Sequence, residues 1–402
     1  MSVKSKQEFP VKVAFFHIVS GNFSGAGKNI FRLLRRIDPE KLEPILVGQT
    51  EYEVTKRVRE HGIKVFIIPF PPALDIHGKK ILNLNIIEFF QIIGAVWNYN
   101  LSLIRFFKQI KPQIIWSDNI RTFYTVFPAS KLSRCKVIMN TFSEPKGKAA
   151  FLLHRLSLFL ADVINLEYRG QRQKLFGVLA NINLFRKKII PLYTGVADFE
   201  QSSGSNIHDE LSLSSTDILI IMASNITPLK GQLDLLKAMN KLLNNFPNIH
   251  LLIAGRAVET DPVALDYDSK LKQYTKKEKL THNVHFLGWR TDIPDLLQAA
   301  DIYVSTSYSD SLPEAPRDAM SYGKPVVATN IGGTSDLVTM NISGFLFEPG
   351  DVDSLVKFLS RLIHDAKLRA SMGAEGKRII DERFSTKVYV RNFEDMVLGL
   401  YH

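Results

Sequence analysis

Two carboxylates eight residues apart, Asp310 and Asp318, are the pair in this chain best placed to do chemistry. They lie in STSYSDSLPEAPRDAMSYGKPVVATNIGGTSDLV (305–338). Asp310 follows a strand-like run that ends near Ser307, and Asp318 falls at the predicted start of a helix. Pro325 leads into the next apolar run, and Gly332-Gly333 marks a tight turn beyond it. Carboxylates accept hydrogen bonds from paired hydroxyls, which suits a sugar or a ribose. Backbone N–H groups at a helix start suit a phosphate. The plain alternative is two solvated acids capping a helix.

A second stretch, NFSGAGKN (22–29), approaches the phosphate-binding pattern G-x-x-x-x-G-K-[ST]. Asn22 replaces its first glycine and Asn29 its metal-binding hydroxyl, so nucleoside triphosphate hydrolysis is not expected. No His/Cys cluster has metal-ligand spacing, so no metal site is assigned.

These residues need elements to hold them. Apolar runs at 11–19, 42–48, 64–70, 113–118, 136–142, 162–167 and 187–193 read as strands separated by helical stretches. A polar segment, 197–216, reads as a linker. Strand-like runs resume at 217–224, 249–255, 284–288, 301–307, 324–330 and 344–349, with a helical period over 231–246 and helix from Val352. Apolar strands alternating with helices imply α/β architecture with parallel sheets covered on both faces. Two such halves predict two Rossmann-like domains facing across a cleft, with ligands at the carboxyl ends of the strands.

Bulk properties agree. The 402 residues suit two domains, and 45% hydrophobic with 23% charged residues is a globular mix. One cysteine, Cys135, allows no internal disulfide and fits a reducing compartment. The run at 11–19 is too short for a signal or spanning segment, so the expected location is cytoplasmic. A net charge of +11 favours an anionic partner. Without a helix-turn-helix or aromatic RNA-binding motif, no nucleic acid is expected. Two stretches, 85–111 and 146–160, mix apolar residues with cations. Packing of their apolar faces on the first sheet is the favoured reading, and peripheral contact with the inner face of an anionic membrane is the other.

The 305–338 segment resembles the signature of the family 4 retaining glycosyltransferases, the glycosyl transferases group 1, which have the GT-B fold. Asp310, Leu312, Pro313, Asp318, Ala319, Met320, Gly323, Pro325 to Val327, Gly332 and Gly333 follow its pattern in order. The resemblance implies that Asp310 binds donor-sugar hydroxyls and Asp318 the ribose, within a loop that includes Ser311, Leu312, Pro313, Glu314 and Ala315. Both acids are usually glutamate, one methylene longer.

IIMASNITPLKGQ (220–232) is similar to the family's diphosphate-binding loop. Lys230 fits its lysine, whose charge stabilises the leaving nucleoside diphosphate; the bland reading is a surface lysine. Asn225 stands where arginine is usual, and Arg256 is the candidate replacement cation. The Gly288 loop resembles the one lining the nucleobase pocket, with Trp289 and Arg290 next to it. Trp289 either stacks on the base or is a partly buried aromatic at a domain edge. Ser24 and Gly25 occupy the family's Gly-Gly position near donor phosphate and acceptor, or else form a simple tight turn. Asp266-Tyr267-Asp268 is a D-x-D, the metal motif of the other glycosyltransferase fold, but it reads as part of a polar loop without that fold's context.

The resemblance thus implies an acceptor-binding domain over 1–196, a linker over 197–216 and a nucleotide-sugar-binding domain over 217–380. A helix over 381–402 is expected to return to the first domain. The implied activity is transfer of a hexose-type sugar, with retention and without metal or cofactor, from a UDP-linked donor to a glycan or lipid-linked acceptor. Lys230 and Asp310 are the expected catalytic pair. Asn225 and the shortened acids keep open a non-catalytic nucleotide- or sugar-binding protein on the same scaffold. The sequence leaves the oligomeric state open.

Overall fold

The computed structural model describes residues 10–17, 25–72, 86–141, 145, 147–196, 204 and 206–401. The chain forms two compact units, Met1–Gly195 with Thr386–His402, and Val196–Ser385.

Unit 1 is built on seven strands: β1 (Val11–His17), β2 (Leu42–Gly48), β3 (Lys64–Ile67), β4 (Ile114–Ser117), β5 (Lys136–Thr141), β6 (Val163–Leu166) and β7 (Ile189–Pro191). They pair in parallel in the order β3-β2-β1-β4-β5-β6-β7. Runs such as VAFF are buried on both faces, so strands covered by helices on either side need apolar residues at successive positions. The connecting helices are α1 (Gly25–Leu34), α2 (Glu53–Glu60), α3 (Ile86–Ile110), α4 (Ile120–Leu132), α5 (Lys148–Leu160), α6 (Gly170–Phe176) and α7 (Asn183–Arg186). Tyr99, Leu103, Phe107, Phe123 and Leu158 fill the core under α3, α4 and α5. Ile30, Leu33 and Val58 fill the core under α1 and α2.

One buried amide joins α3 to α4. Pro128 lies inside α4 and interrupts its hydrogen-bond ladder. Asn100 of α3 spans the gap: its Nδ2 donates to Thr125 O at 2.8 Å, and its Oδ1 accepts from Ala129 N at 2.8 Å. The side chain thus replaces the backbone pair that the kinked turn gives up.

Unit 2 has six strands: β8 (Ile218–Ala223), β9 (Ile249–Ala254), β10 (Val284–Gly288), β11 (Ile302–Ser305), β12 (Val326–Thr329) and β13 (Gly344–Phe347). Their order is β10-β9-β8-β11-β12-β13, again parallel. Its helices are α8 (Ile207–Glu210), α9 (Gln232–Leu242), α10 (Pro262–Lys277), α11 (Ile293–Ala299), α12 (Glu314–Ser321), α13 (Thr334–Leu337), α14 (Val352–His364) and α15 (Ala366–Ile379). Aspartates start three of them: Asp261, Asp351 and Asp365 accept from backbone N–H groups of α10, α14 and α15. In this sheet the order reverses between β8 and β11, the switch point at which open α/β sheets bind ligands.

The last helix, α16 (Thr386–Tyr401), belongs to unit 1. Phe393 is fully buried, with its ring 5.6 Å from Phe15 and 5.1 Å from Trp116. Glu394 accepts from Asp38 N and from Lys41 Nζ, each at 2.8 Å.

Three local expectations change. The linker read over 197–216 is not a free connector from Gly204 onward. Ile207 is buried, Gly204 N donates to Asp295 Oδ1 at 3.0 Å, and Glu210 pairs with Arg290, so this stretch is part of unit 2. Polar composition hid a single apolar anchor. The Asp266-Tyr267-Asp268 triplet lies in α10 and not in a loop. Its acids make i,i+4 pairs with Lys270 and Lys272 at 2.6 Å each, while Tyr267 Oη accepts from Leu233 N. Along α3, finally, the sheet takes only one face, and Phe90, Ile93, Trp97 and Leu101 remain exposed.

A histidine pair, one member buried and the other half-buried, makes unit 2 sensitive to acid. His250 on β9 and His285 on β10 stand side by side near the amino ends of their strands, Nδ1 to Nε2 3.2 Å. Burial first, and then neighbouring histidines, hold both below the ordinary histidine range, although Asp217, 3.5 Å from His250, opposes this. Both are therefore neutral in the fold. Below pH ~6.5 the unfolded chain binds more protons than the folded one, so stability falls as pH drops and levels off below the folded-state values. The unfolding midpoint is expected to fall between pH 7.5 and 5.5, and to fall less in His285→Gln; equal slopes in the two proteins would assign the loss elsewhere.

Candidate active site

The loops after β11 and β8 meet at the switch point of unit 2. Lys230 follows β8, and its Nζ donates to Asp310 Oδ2 at 2.6 Å. Their side chains are 28% and 25% exposed, so both stay accessible to a ligand. The backbone around them is tightly fixed. Thr306 Oγ1 donates to Lys230 O and Gly231 O at 3.0 and 2.9 Å, and Tyr308 N donates to Leu229 O. Gly231 has φ +69°, and a Cβ there would lie 2.1 Å from Thr306 O. Only glycine lets the lysine loop approach the end of β11 this closely.

The Asp310 loop is held from its other side. Gly332 has φ +50°, with the place of a Cβ 2.2 Å from Asp310 O and 2.3 Å from Ser311 O. Asp310 Oδ1 also accepts from its neighbour Ser311 N at 3.0 Å. Leu312 and Pro313 are buried, so at these two positions the backbone rather than the side chain can face a ligand. The helix α12 then starts at Glu314, with Pro313 at its N-cap and no side chain capping it. Asp318 sits one turn inside α12, nine-tenths buried, and not at the helix start. Ala315 and Glu314 form the first turn, where Glu314 lies 3.8 Å from the buried Arg317.

A second cluster follows β8, β9 and β10. Ser224 N donates to Ala254 O and Ile226 N to Arg256 O, which places exposed Asn225 beside the β9 loop. Gly255 N donates to Gly288 O at 2.7 Å, joining that loop to the one after β10. Across this join the Arg256 guanidinium lies 5.9 Å over the Trp289 ring. Trp289 is 61% exposed, so its ring stays open to a ligand. Gln232 Nε2 donates to Asn225 O at 2.9 Å and so links this cluster to the start of α9, immediately after Lys230. Arg290 is different: it pairs with Asp292 and Glu210, and these contacts hold its charge high and commit it to structure.

The carboxyl ends of β11, β8, β9 and β10 thus present a carboxylate, an ammonium, a guanidinium and an open indole in a row. Such a row can take hydroxyls, a diphosphate and a base in turn.

Residues 204–379 match the family described as glycosyl transferases group 1. The match lies within unit 2, which carries the glycosyl transferases group 1 domain. Over 281 residues it is 26% identical to the UDP-Gal:alpha-D-GlcNAc-diphosphoundecaprenol alpha-1,3-galactosyltransferase of Escherichia coli, covering 67% of this chain and 70% of that protein. It is 22% identical over 404 residues to the N,N'-diacetylbacillosaminyl-diphospho-undecaprenol alpha-1,3-N-acetylgalactosaminyltransferase of Campylobacter jejuni, covering 94% and 98%. The structure of Anabaena Alr3699/HepE in complex with UDP superposes with a TM-score of 0.78 at 20% identity, over 97% of this chain and all of that one. The chain therefore has the GT-B fold, two Rossmann-like α/β domains.

In unit 1 Ser24 lies outside the described residues, and Gly25 opens α1. The sequence reading missed one feature of unit 1. His17 ends β1 and Asp118 follows β4, the strands where that sheet's order reverses. Their side chains are buried, His17 Nδ1 3.2 Å from Asp118 Oδ2. Asp118 Oδ1 also accepts from Thr122 Oγ1 and Asn119 Nδ2, each at 2.7 Å. The signal was present as two polar residues at the ends of apolar runs 101 positions apart, but only the sheet order brings them together. Among the described residues no group of three or more His, Cys, Asp or Glu side chains is arranged to hold a metal.

Proposed function

We propose that this chain is a glycosyltransferase that moves a hexose-type sugar, with retention and without a metal, from a UDP-linked donor to a glycan or lipid-linked acceptor. The carrying observation is the Lys230–Asp310 pair at the switch point of unit 2, in line with Arg256 and Trp289. Without ligand, each charge of the pair satisfies the other. A donor diphosphate brings more negative charge than one carboxylate and competes for Lys230, which frees Asp310 to accept hydrogen bonds from the sugar. Lys230 then faces the phosphate on which charge grows as the glycosidic bond breaks. The donor phosphate takes the acceptor's proton. Trp289 stacks on the base, Arg256 supplies the cation that Asn225 lacks, and the start of α12 with Asp318 receives the ribose and phosphate. Acceptor binding falls to unit 1. The names of the E. coli and C. jejuni relatives, with their diphosphoundecaprenol-linked substrates, support a lipid-linked acceptor.

A thermal-shift screen over UDP, GDP, ADP and their sugars tests the donor. A ligand at a hundred times its Kd adds about 2.7 kcal/mol to stability, so the preferred base stands out. No rise with any nucleotide would sink the reading. Arg256→Ala is expected to lower donor turnover at least about tenfold, the loss of one charged hydrogen bond, and Trp289→Ala to reduce the shift given by the preferred nucleotide. Undiminished turnover in Arg256→Ala would remove that residue from the site. The exposed, uncharged Asn225 favours a second reading, a nucleotide-binding protein without catalysis. A clear UDP shift with no turnover of any sugar nucleotide would select it.

A further inference from the structure

The two helical layers of unit 1 differ in charge. Helices α3 to α7 carry nine Lys and Arg residues and one acid, Glu88. On the opposite layer α2 alone sets Glu53 and Glu60 among its cations, and α16 carries Glu394 and Asp395. The cationic layer also exposes apolar side chains in order. Phe90, Ile93, Trp97 and Leu101 recur three and four residues apart, which aligns them along the outer face of α3. Phe90 and Trp97 are 64% and 65% exposed. The same line continues into exposed Arg105 and Lys108.

Helix α5 repeats the arrangement. Leu152, Leu156 and Phe159 are exposed on a helix that contains Lys148 and Arg155 and no acid. Between the two stands α4, joined to α3 through Asn100 and to α5 by Tyr124 Oη, which donates to Leu153 O at 2.7 Å. The two stripes therefore belong to one layer on one face of the sheet. A polyanion without apolar parts would satisfy the cations and leave the aromatic rings in water. An apolar protein groove would cover the rings and leave the cations unmatched. A bilayer with anionic headgroups satisfies both, because acyl chains take the rings while phosphates take the cations.

We propose that the outer face of α3 and α5 docks on an anionic lipid bilayer, with unit 1 lying in the interface. No described helix is long and apolar enough to cross a membrane, so the contact is made from one side. This surface is separate from the donor residues of unit 2, and the proposal rests on neither the sugar nor the acceptor assigned above.

Co-sedimentation of the full chain with phosphatidylcholine vesicles, with and without phosphatidylglycerol, tests it. The chain is expected to pellet with the anionic vesicles and to be released by salt. Phe90→Ser combined with Trp97→Ser is expected to weaken vesicle binding at least about tenfold, with the unfolding midpoint kept. Val263→Ser, an exposed apolar position on unit 2, should bind like the parent chain. Absence from both pellets, equal pelleting with neutral vesicles, or full binding by the double variant would each overturn the proposal. So would a dimer in solution that the double variant dissolves while vesicles capture neither protein. Vesicle binding without any nucleotide shift would leave this surface standing and sink the donor reading instead.

Discussion

Lys230→Ala is expected to lower glycosyl transfer by about 10²–10³-fold, the loss typical when one group facing a developing negative charge is removed. Its effect on stability should be small. The Lys230–Asp310 pair is about a quarter exposed on each side, and pairs that solvent reaches contribute about 0–1 kcal/mol. The two readouts therefore separate. If Lys230 acts on the leaving diphosphate, kcat and kcat/KM fall together and the unfolding midpoint holds. A rise in KM with kcat unchanged would show uniform binding and no part in the chemical step. Asp310→Asn gives the complementary test. It keeps the shape of the side chain and removes the charge that Lys230 meets in the unliganded chain. Donor-sugar selectivity should relax in that variant more than nucleotide affinity does. Turnover like that of the parent in both variants would remove the pair from the reaction.

Gly332→Ala is expected to be the most damaging small substitution near the site. Its φ of +50° is a conformation that costs an alanine about 1–2 kcal/mol. The added Cβ would also stand 2.2 Å from Asp310 O and 2.3 Å from Ser311 O, both backbone atoms with no side chain to rotate away. The loop must move, and it carries Asp310. A loss of about 3 kcal/mol follows from the two effects together, and in a unit of this size it lowers the unfolding midpoint by roughly 6–12 °C. The nucleotide shift should weaken in parallel. Gly94→Ala is the contrast, because that glycine lies in α3 with open space around its Cβ position and should gain about 0.5–1 kcal/mol. An unchanged midpoint in Gly332→Ala would mean that the turn does not clamp the loop.

The order of strands was legible because each is a short apolar run bounded by polar residues, and a sheet covered on both faces demands that pattern. The runs were read one to three residues too long at several ends. Phe70 is as apolar as Phe66 and Ile67, and the boundary is set by pairing, which composition does not show. The loops that carry Lys230 and Asp310 were legible for a different reason. Gly231 and Gly332 are required by close backbone approaches, and Asp310 and Lys230 stand at fixed offsets from them. Asp318 was placed too near the helix start, since α12 begins at Glu314 on a proline N-cap. The side-chain partner of Arg290, Glu210, went unread because it lies 80 residues away, in a stretch read as linker. His17 with Asp118 went unread for the same reason of distance. Exposure on α3 and α5 could not be read either: a stripe of apolar residues looks the same in sequence whether a sheet covers it or not.

The place of Phe393 sets a schedule for biosynthesis. Unit 1 takes its first 195 residues from the start of the chain and its last helix from residues 386–401. Phe15 and Trp116 emerge from the ribosome long before Phe393, the ring that covers them. Throughout translation of unit 2 the nascent first domain carries an open apolar seat on its sheet. Unit 2 is continuous and can close on its own while that seat waits. A chain stopped just before Thr386 would therefore release a finished second domain attached to an unfinished first one, a form suited to capture by chaperones or proteases.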